Sequence, residues 1–257
     1  MTSLINVQVR DGVGVIEFAR PEKFNCLSMR VFGEISDAFD RLESDTQVAT
    51  VLVCAQGKHF CTGAELDEVE ALRADAAKLR EFIALGHAVL NRIEDSRLPV
   101  VAAVQGYCLA GGLEFIMACD IVFAASDAKL GDQHAQFGLV PGWGGSQRLP
   151  RLVGQRRAMD LMMSARWLSA DDALAWGLVN YVEEPEQLRA AADQYCAKLA
   201  QRSMDGLSLM KRLASVHARQ ARVDLHFEIE QAVPTLMSPD VTEGLAAFRQ
   251  RREPKFR

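Results

Sequence analysis

The sequence has little net charge, and its few cysteines follow no pattern typical of metal sites or disulfide frameworks. Lys and Arg number 29 against 34 Asp and Glu, which leaves a formal net charge of -5 over 257 residues. This balance gives no general attraction to nucleic acid or to acidic membranes, so neither is an expected partner. The six cysteines form no Cys-x-x-Cys pair and lie mostly in apolar runs, which predicts reduced thiols and no metal site.

A long uninterrupted hydrophobic run is also missing. The longest apolar stretch, residues 98–118, is broken by Gln105, by several glycines and by Glu114, so a membrane span is not expected. The N-terminal residues alternate apolar and polar side chains around Asp11 and Gly12, a pattern typical of a β-hairpin rather than of a secretory signal. We therefore expect a cytoplasmic protein.

Helical and strand patterns alternate along the chain. Ser28 can cap a helix whose apolar residues recur at helical spacing, and a second helical pattern runs over residues 70–95. Continuous apolar runs predict buried strands, and helical patterns dominate beyond a glycine-rich loop at 138–145. The predicted strands cover residues 48–55, 98–104 and 120–125. This alternation predicts an α/β fold with a parallel sheet covered by helices.

The stretch "YCLAGGLEFIMACD", residues 107–120, places Glu114 among apolar neighbours. It follows a predicted buried strand, and Gly111 and Gly112 stand where the next helix begins. Backbone N–H groups in the first turn of a helix have no partner within the helix and carry the positive end of its dipole. Such a turn suits a negatively charged oxygen.

A second turn of this kind, "GKHFCTGAEL" at residues 57–66, follows another predicted strand. Two N–H groups from separate loops that point at one developing negative charge stabilise an enolate or a tetrahedral intermediate. Glu114 would then be the acid or base beside that oxygen. A purely structural interpretation stays open, since glycine pairs mark tight packing and the dipole alone favours a glutamate in a first helical turn.

The motif "AAVQGYCLAGGLEFIMACD", with "GKHFCTGAELDE" upstream and "GLVPGWGGSQRLPRLVG" downstream, closely resembles the enoyl-CoA hydratase and isomerase family, the crotonases. The resemblance covers nearly the whole chain, from "RPEKFNCLS" to "EGLAAFRQRREPKF". It implies a crotonase-like spiral of repeated strand-strand-helix units. We expect a spiral core with the active site at residues 1–195 and a C-terminal helical region at 196–257 that serves oligomerisation and completes the coenzyme A site.

The resemblance also implies partners and site residues. The substrate would be an acyl-CoA thioester, with coenzyme A as part of the substrate and no separate cofactor, and the assembly a homotrimer or a hexamer formed as a dimer of trimers. The N–H groups of Ala64 and Gly111 would hold the thioester oxygen. Glu114 matches the first catalytic glutamate of the family's hydratases, whereas the position of the second falls on His134, counting back from Pro141.

His134 admits two interpretations. An imidazole, whose usual pKa is ~6.5, can exchange a proton near neutral pH and so stand in for the missing carboxyl group. It can equally be a wall of the acyl pocket. Asp132 or Gln133 could orient the ring. Trp143, where the family usually carries a small residue, either closes the acyl end of the pocket or packs on the core.

Four residues match coenzyme A contacts of the family. The resemblance places Lys23 and Phe24 at the adenosine end, and Phe248 and Arg251 near the coenzyme, where a cation could meet a phosphate. Each lysine or arginine could instead be simply solvated. RNA binding by the basic run at 249–257 is not expected, because no stacking aromatic residues interleave it.

We expect an enzyme that adds water to a 2-enoyl-CoA, or removes it, through an enolate held by Ala64 and Gly111. Glu114 would be the principal proton carrier and His134 the secondary one. Double-bond isomerisation of an enoyl-CoA is the near alternative. An alternative of another class is an acyl-CoA-binding protein of crotonase fold with little or no turnover.

Overall fold

A computed structural model describes residues 3–215 and 222–256 of the chain, so Arg257 of the basic run lies outside the described residues. The strands are β1 Ile5–Arg10, β2 Val13–Phe18, β3 Thr50–Ala55, β4 Val100–Val104, β5 Tyr107–Leu109, β6 Ile121–Ala125, β7 Lys129–Gly131, β8 Leu168–Ser169 and β9 Tyr181–Glu183. The helices are α1 Met29–Ser44, α2 Leu66–Leu72, α3 Ala76–Asp95, α4 Gly111–Ile116, α5 Gly145–Val153, α6 Gln155–Ser164, α7 Ala170–Trp176, α8 Leu188–Ala200, α9 Met204–Ala214, α10 Arg222–Leu236 and α11 Pro239–Arg249.

The predicted N-terminal hairpin is confirmed. Strands β1 and β2 pair antiparallel, and the turn between them consists of Asp11 and Gly12, both with positive φ (48° and 78°). A two-residue turn of this kind matches the right-handed twist of the strands, and Asp-Gly is a preferred sequence for it. The hairpin forms one edge of the main sheet.

The main sheet has six strands in the order β1-β2-β3-β4-β6-β9, and every pair beyond the hairpin is parallel. Its central strands β3 and β4 are buried almost throughout, as the continuous apolar runs predict. Helix α8 packs against β3 and β4. The predicted boundary between residues 195 and 196 falls inside α8, and the division into two regions stays a prediction.

Helix α1 forms where its capping residue and its periodicity predict it. The Ser28 hydroxyl accepts a hydrogen bond from the Val31 N–H group at 3.2 Å, and the apolar face is fully buried. That face consists of Phe32, Ile35, Phe39 and Leu42. Burying each of these side chains contributes ~1.5–3 kcal/mol. The helix therefore draws its stability from this face.

The single helix expected over residues 70–95 is wrong. Two helices, α2 and α3, occupy this region, and α2 already begins at Leu66. The carboxylate of Asp75 accepts hydrogen bonds from the N–H groups of Ala77 and Lys78, at 3.0 and 3.3 Å. Because Asp75 satisfies the first donors of α3, it marks a new helix start inside a continuous apolar pattern.

A second sheet has three strands in the order β5-β7-β8, and its first strand, β5, lies along the chain between β4 and the helix that carries Glu114. The sequence predicts a direct passage from β4 to that helix, but the chain first forms β5, which pairs in parallel with β7. Strand β5 also pairs with the loop at residues 57–66, through an isolated parallel β-bridge between the backbones of Cys108 and Cys61. The small sheet thus brings the two predicted turns side by side.

Candidate active site

The two glycine-containing turns converge. A Cβ atom built on Gly63 would lie 3.2 Å from the backbone nitrogen of Gly111, and the Leu109 N–H donates to the Cys61 oxygen at 3.0 Å. Ala110, directly before α4, has φ 47° and ψ -117°, a conformation that a non-glycine residue rarely adopts. This strained residue turns the chain where the first backbone nitrogen of α4 comes close to the other loop.

The N–H groups of Ala64 and Gly111 are available as donors. Among the backbone hydrogen bonds of the described part of the chain, none is donated by either group. Gly111 is the first residue of α4, where no partner exists within the helix. Two unpaired donors on adjacent loops can bind one oxygen atom that carries a negative charge.

Glu114 is buried beside these loops, with 1% of its surface exposed. Its Oε1 atom accepts hydrogen bonds from the N–H groups of Trp143 and Gly145, both at 2.8 Å, while Oε2 has no partner among the described residues. Burial raises the pKa of Glu114, the charge of His134 lowers it and Glu228 raises it, for a value of about 7. A carboxyl group with this pKa can exchange a proton near neutral pH.

The structure brings His134 next to Glu114. The Nε2 atom of His134 lies 3.8 Å from Oε2 of Glu114, and its Nδ1 atom lies 2.9 Å from Oδ1 of Asp132. Burial lowers the pKa of His134, but the charge and hydrogen bond of Asp132, with the charges of Glu114 and Glu228, outweigh burial and raise it to about 9. Asp132 is therefore the residue that orients the ring, whereas Gln133 donates to the Ala165 oxygen at 2.6 Å.

Trp143 packs on the core and also borders the site. Its ring meets Phe32 and Phe82 edge-on, with centroids 4.8 and 5.2 Å apart. Added Cβ atoms on Gly111 and Gly86 would each lie 2.3 Å from the indole. The indole therefore fills the space between α3 and the turn at Gly111, and its role at the acyl end of the pocket stays a prediction.

Sequence reasoning missed Glu228 and His87. Glu228, on α10, is buried and accepts hydrogen bonds from the N–H groups of Gly144 and Ser146. His87, on α3, is also buried, and its Nε2 atom lies 3.4 Å from Oε1 of Glu228. Neither residue stands in a recognisable motif, so only the folded chain reveals their proximity to the site.

The four residues expected to contact coenzyme A lie on the surface. Lys23 is about half exposed and lies 3.6 Å from Asp67, which also contacts Arg249 at 3.4 Å. The loop of Lys23 and Phe24 therefore lies close to the end of α11, next to Arg251. Phe24 contacts His59, and Phe248 contacts Phe137, with ring centroids 5.6 and 5.3 Å apart.

Glu65, next to Ala64, forms an ion pair with Arg20 at 2.8 Å. Because this pair ties the loop before α1 to the start of α2, it helps hold the Ala64 turn in place.

Within residues 3–215 and 222–256, no helix combines the length and apolar character needed to cross a membrane. The same residues contain no group of three or more His, Cys, Asp or Glu side chains arranged to hold a metal ion.

Comparison with known proteins gives consistent matches over the whole chain. The family described as "Enoyl-CoA hydratase/isomerase" matches residues 8–257. A "Probable enoyl-CoA hydratase" of Bacillus subtilis (strain 168) is 35% identical over 257 residues and 98% of each chain. A "Crotonyl-CoA hydratase" of Syntrophomonas wolfei is 35% identical over 98% of this chain and 97% of its own. The crystal structure of an enoyl-CoA hydratase from Mycobacterium avium subsp. paratuberculosis K-10 superposes over the full length of both chains, with a TM-score of 0.88 and 29% identity.

Proposed function

The chain belongs to the enoyl-CoA hydratase/isomerase family and has the crotonase fold, and on this premise we propose that it adds water across the 2,3 double bond of an enoyl-CoA thioester. One observation carries this proposal. The unpaired Oε2 atom of Glu114 faces the Nε2 atom of His134 at 3.8 Å, beside the converging turns of Ala64 and Gly111. A water molecule can contact both atoms at ordinary hydrogen-bond lengths of ~2.8 Å.

In the first step, the Glu114 carboxylate takes a proton from this water, and the water oxygen bonds to carbon 3 of the substrate. The electron pair of the double bond moves onto the thioester oxygen. The N–H groups of Ala64 and Gly111 donate to that oxygen and stabilise the enolate. Removing one donor of this kind typically slows a reaction ~100- to 1,000-fold.

In the second step, His134 gives its Nε2 proton to carbon 2, and the product is a 3-hydroxyacyl thioester. Asp132 keeps the second ring nitrogen protonated and stabilises the imidazolium before the transfer. Glu114 is now neutral and His134 has lost a proton, so one proton must pass from Oε2 to Nε2. Their 3.8 Å separation allows this return through one water molecule.

We propose that four surface residues bind the coenzyme A part of the substrate, namely Lys23, Phe24, Phe248 and Arg251. We also propose that Trp143 restricts the acyl part to short chains. The bulk of the indole next to Gly111 supports the restriction. No separate cofactor enters the proposed reaction.

We also propose a homotrimer or a dimer of trimers. Large apolar side chains on α9 and α10 are more than half exposed, which is unusual for a surface without a partner. They are Leu209, Met210, Leu213 and Phe227. Analytical ultracentrifugation of the purified chain tests the assembly, and a monomer would contradict it.

A cytoplasmic location is the last part of the proposal. All six cysteines are free, and four of them are buried. Cell fractionation with an antibody to the chain tests the location.

The test of the reaction uses purified protein and a short-chain 2-enoyl-CoA. We expect loss of the conjugated enoyl absorbance and a product heavier by one water molecule. Glu114→Gln keeps an oxygen that can accept from Trp143 and Gly145 but cannot take a proton, so we expect kcat to fall ~100-fold or more.

Three outcomes contradict the proposed hydration. A Glu114→Gln variant whose kcat stays within a few fold of the wild-type value would show that Glu114 does not carry the proton transfer. Conversion of a 3-enoyl-CoA without gain of water indicates an isomerase. Tight thioester binding without turnover indicates an acyl-CoA-binding protein.

A further inference from the structure

The turn formed by residues 143–146 is tied to two different carboxylates. Its N–H groups donate alternately, with Trp143 and Gly145 directed to Glu114, and Gly144 and Ser146 directed to Glu228. Both carboxylates are buried. Consecutive N–H groups point to opposite sides, so each carboxylate holds one side of the turn.

Glu228 binds the turn with both oxygens. Oε1 accepts from the Gly144 N–H, while Oε2 accepts from the Ser146 N–H at 3.0 Å and from the Ser146 hydroxyl. Helix α5 begins at Gly145, so the negative charge also lies at the positive end of the helix dipole. Gly144 has φ 95°, a left-handed conformation that leaves its N–H free to point at Glu228.

Other titratable and charged groups surround the turn. His87 faces Glu228 at 3.4 Å from α3, and the Arg148 guanidinium of α5 donates to the Trp143 oxygen at 2.7 Å. Arg148 is itself paired with Glu94 at 2.9 Å. On the other side of Glu114 stand His134 and Asp132. The turn therefore lies between a catalytic pair and a second, non-catalytic polar cluster.

We propose that Glu228 is a positioning residue, which fixes the turn at 143–146 and thereby keeps the Glu114 carboxylate aimed at His134. Glu228 acts through the turn and not on the substrate. The kinetic test of this role rests on the proposed hydration, whereas the fluorescence test does not require turnover.

The first experiment compares Glu228→Gln with Glu230→Gln. Glu230 lies on the same helix but is about 40% exposed and paired with Arg80, so its replacement is the matched control. A glutamine at 228 presents an NH₂ group to at least one of the turn's donors. We expect kcat to fall about 10- to 100-fold, as for small displacements of a catalytic group, with KM changed much less.

The pH profile separates positioning from general damage. The negative charge of Glu228 raises the pKa of Glu114 and that of His134. Without this charge, both pKa values fall, so both limbs of the kcat/KM profile should move to lower pH in Glu228→Gln and stay in place in Glu230→Gln. A fall in kcat with unmoved limbs would mean a merely structural role and overturns the proposal, as would unchanged kcat.

If Glu228→Gln does not fold, Ser146→Ala tests the positioning role of Glu228 instead. It removes the hydroxyl contact to Glu228, together with the hydrogen bond that this hydroxyl accepts from the Gln147 side chain at 3.1 Å, and we expect kcat to fall a few fold. Wild-type kcat in a folded Ser146→Ala protein overturns the proposal.

The second readout is independent of turnover. With Trp167 and Trp176 replaced by Phe, the fluorescence of Trp143 reports on the turn, and its pH titration should show a step that Glu114→Gln abolishes. Glu228→Gln should move this step to lower pH. A moved step without hydratase turnover would contradict only the proposed function, whereas normal turnover with an unmoved step would contradict the role of Glu228.

Discussion

The Nε2 atom of His134 lies 3.8 Å from Oε2 of Glu114, and the pKa values of both groups are raised above those of free glutamate and histidine while their order is kept. Burial brings the pKa of Glu114 up to about 7, and Asp132 brings that of His134 up to about 9. Between these values the carboxylate and the imidazolium coexist. This is the one combination in which Glu114 can accept a proton while His134 can give one.

The first prediction is a bell-shaped pH dependence of kcat/KM. Activity should fall as the pH drops below about 7, because Glu114 becomes protonated, and as it rises above about 9, because His134 loses its proton. Steady-state kinetics across both values measures the two limbs. A profile that stays flat through both would show that this pair does not carry the proton transfers.

The second prediction concerns Asp132→Asn. Asp132 raises the pKa of His134 by its charge and by its hydrogen bond, so the amide should lower that pKa and move the alkaline limb to lower pH. The acid limb belongs to Glu114 and should move much less. Asp127→Asn, at an exposed turn, is the control. Equal movement of both limbs would speak against Asp132 as the partner of His134.

The third prediction distinguishes proton transfer from pocket shape at His134. His134→Ala should reduce kcat by ~100-fold or more, because general acid catalysis is lost, whereas His134→Glu should retain much of it. The alkaline limb should disappear in His134→Ala. Indifference of kcat to both replacements would make the imidazole a wall of the pocket.

The fourth prediction compares two glycines inside helices. A Cβ on Gly86 would meet the Trp143 indole at 2.3 Å, whereas one on Gly33 would meet nothing within 4 Å. Gly33→Ala should therefore raise the free energy of unfolding by ~0.5–1 kcal/mol. Gly86→Ala should lower it by ~1–3 kcal/mol and lower kcat, because the indole must move. Urea unfolding measures both, and equal stabilisation would refute the contact with Trp143.

The fifth prediction concerns acyl chain length. Trp143→Phe removes the part of the indole that lies against Gly111 and keeps an aromatic ring against Phe32 and Phe82. We expect the ratio of kcat/KM for longer over shorter enoyl-CoA substrates to rise ~10-fold or more. Trp167→Phe, on the surface, should leave the ratio unchanged. A ratio that is the same in both variants would place the acyl chain elsewhere.

Local signals made much of the fold predictable. The turn at Asp11 and Gly12, the cap at Ser28 and the continuous apolar runs each act over a few residues, and each forms the expected element. The sequence pattern does not predict the new helix start at Asp75, because the apolar pattern continues through it without a gap. A local signal therefore predicts an element where it bounds an apolar pattern, and not where the pattern continues through it.

The candidate site was predictable where motifs exist and not where only packing brings residues together. Glu114 and His134 meet as the resemblance implies, although their distance and the choice of Asp132 over Gln133 required coordinates. Glu228 reaches the site from more than 80 residues downstream. Nothing in the sequence near Glu228 distinguishes it from a solvated helical glutamate.

The Gly144–Glu228 hydrogen bond joins residues 84 positions apart. Since a ribosome adds ~5–20 residues per second, the turn at 143–146 waits several seconds during synthesis for the helix that completes it. Residues around Glu114 can thus fold well before the carboxylate acquires its final support. A nascent chain would gain its chemical competence late, after most of its core has already formed.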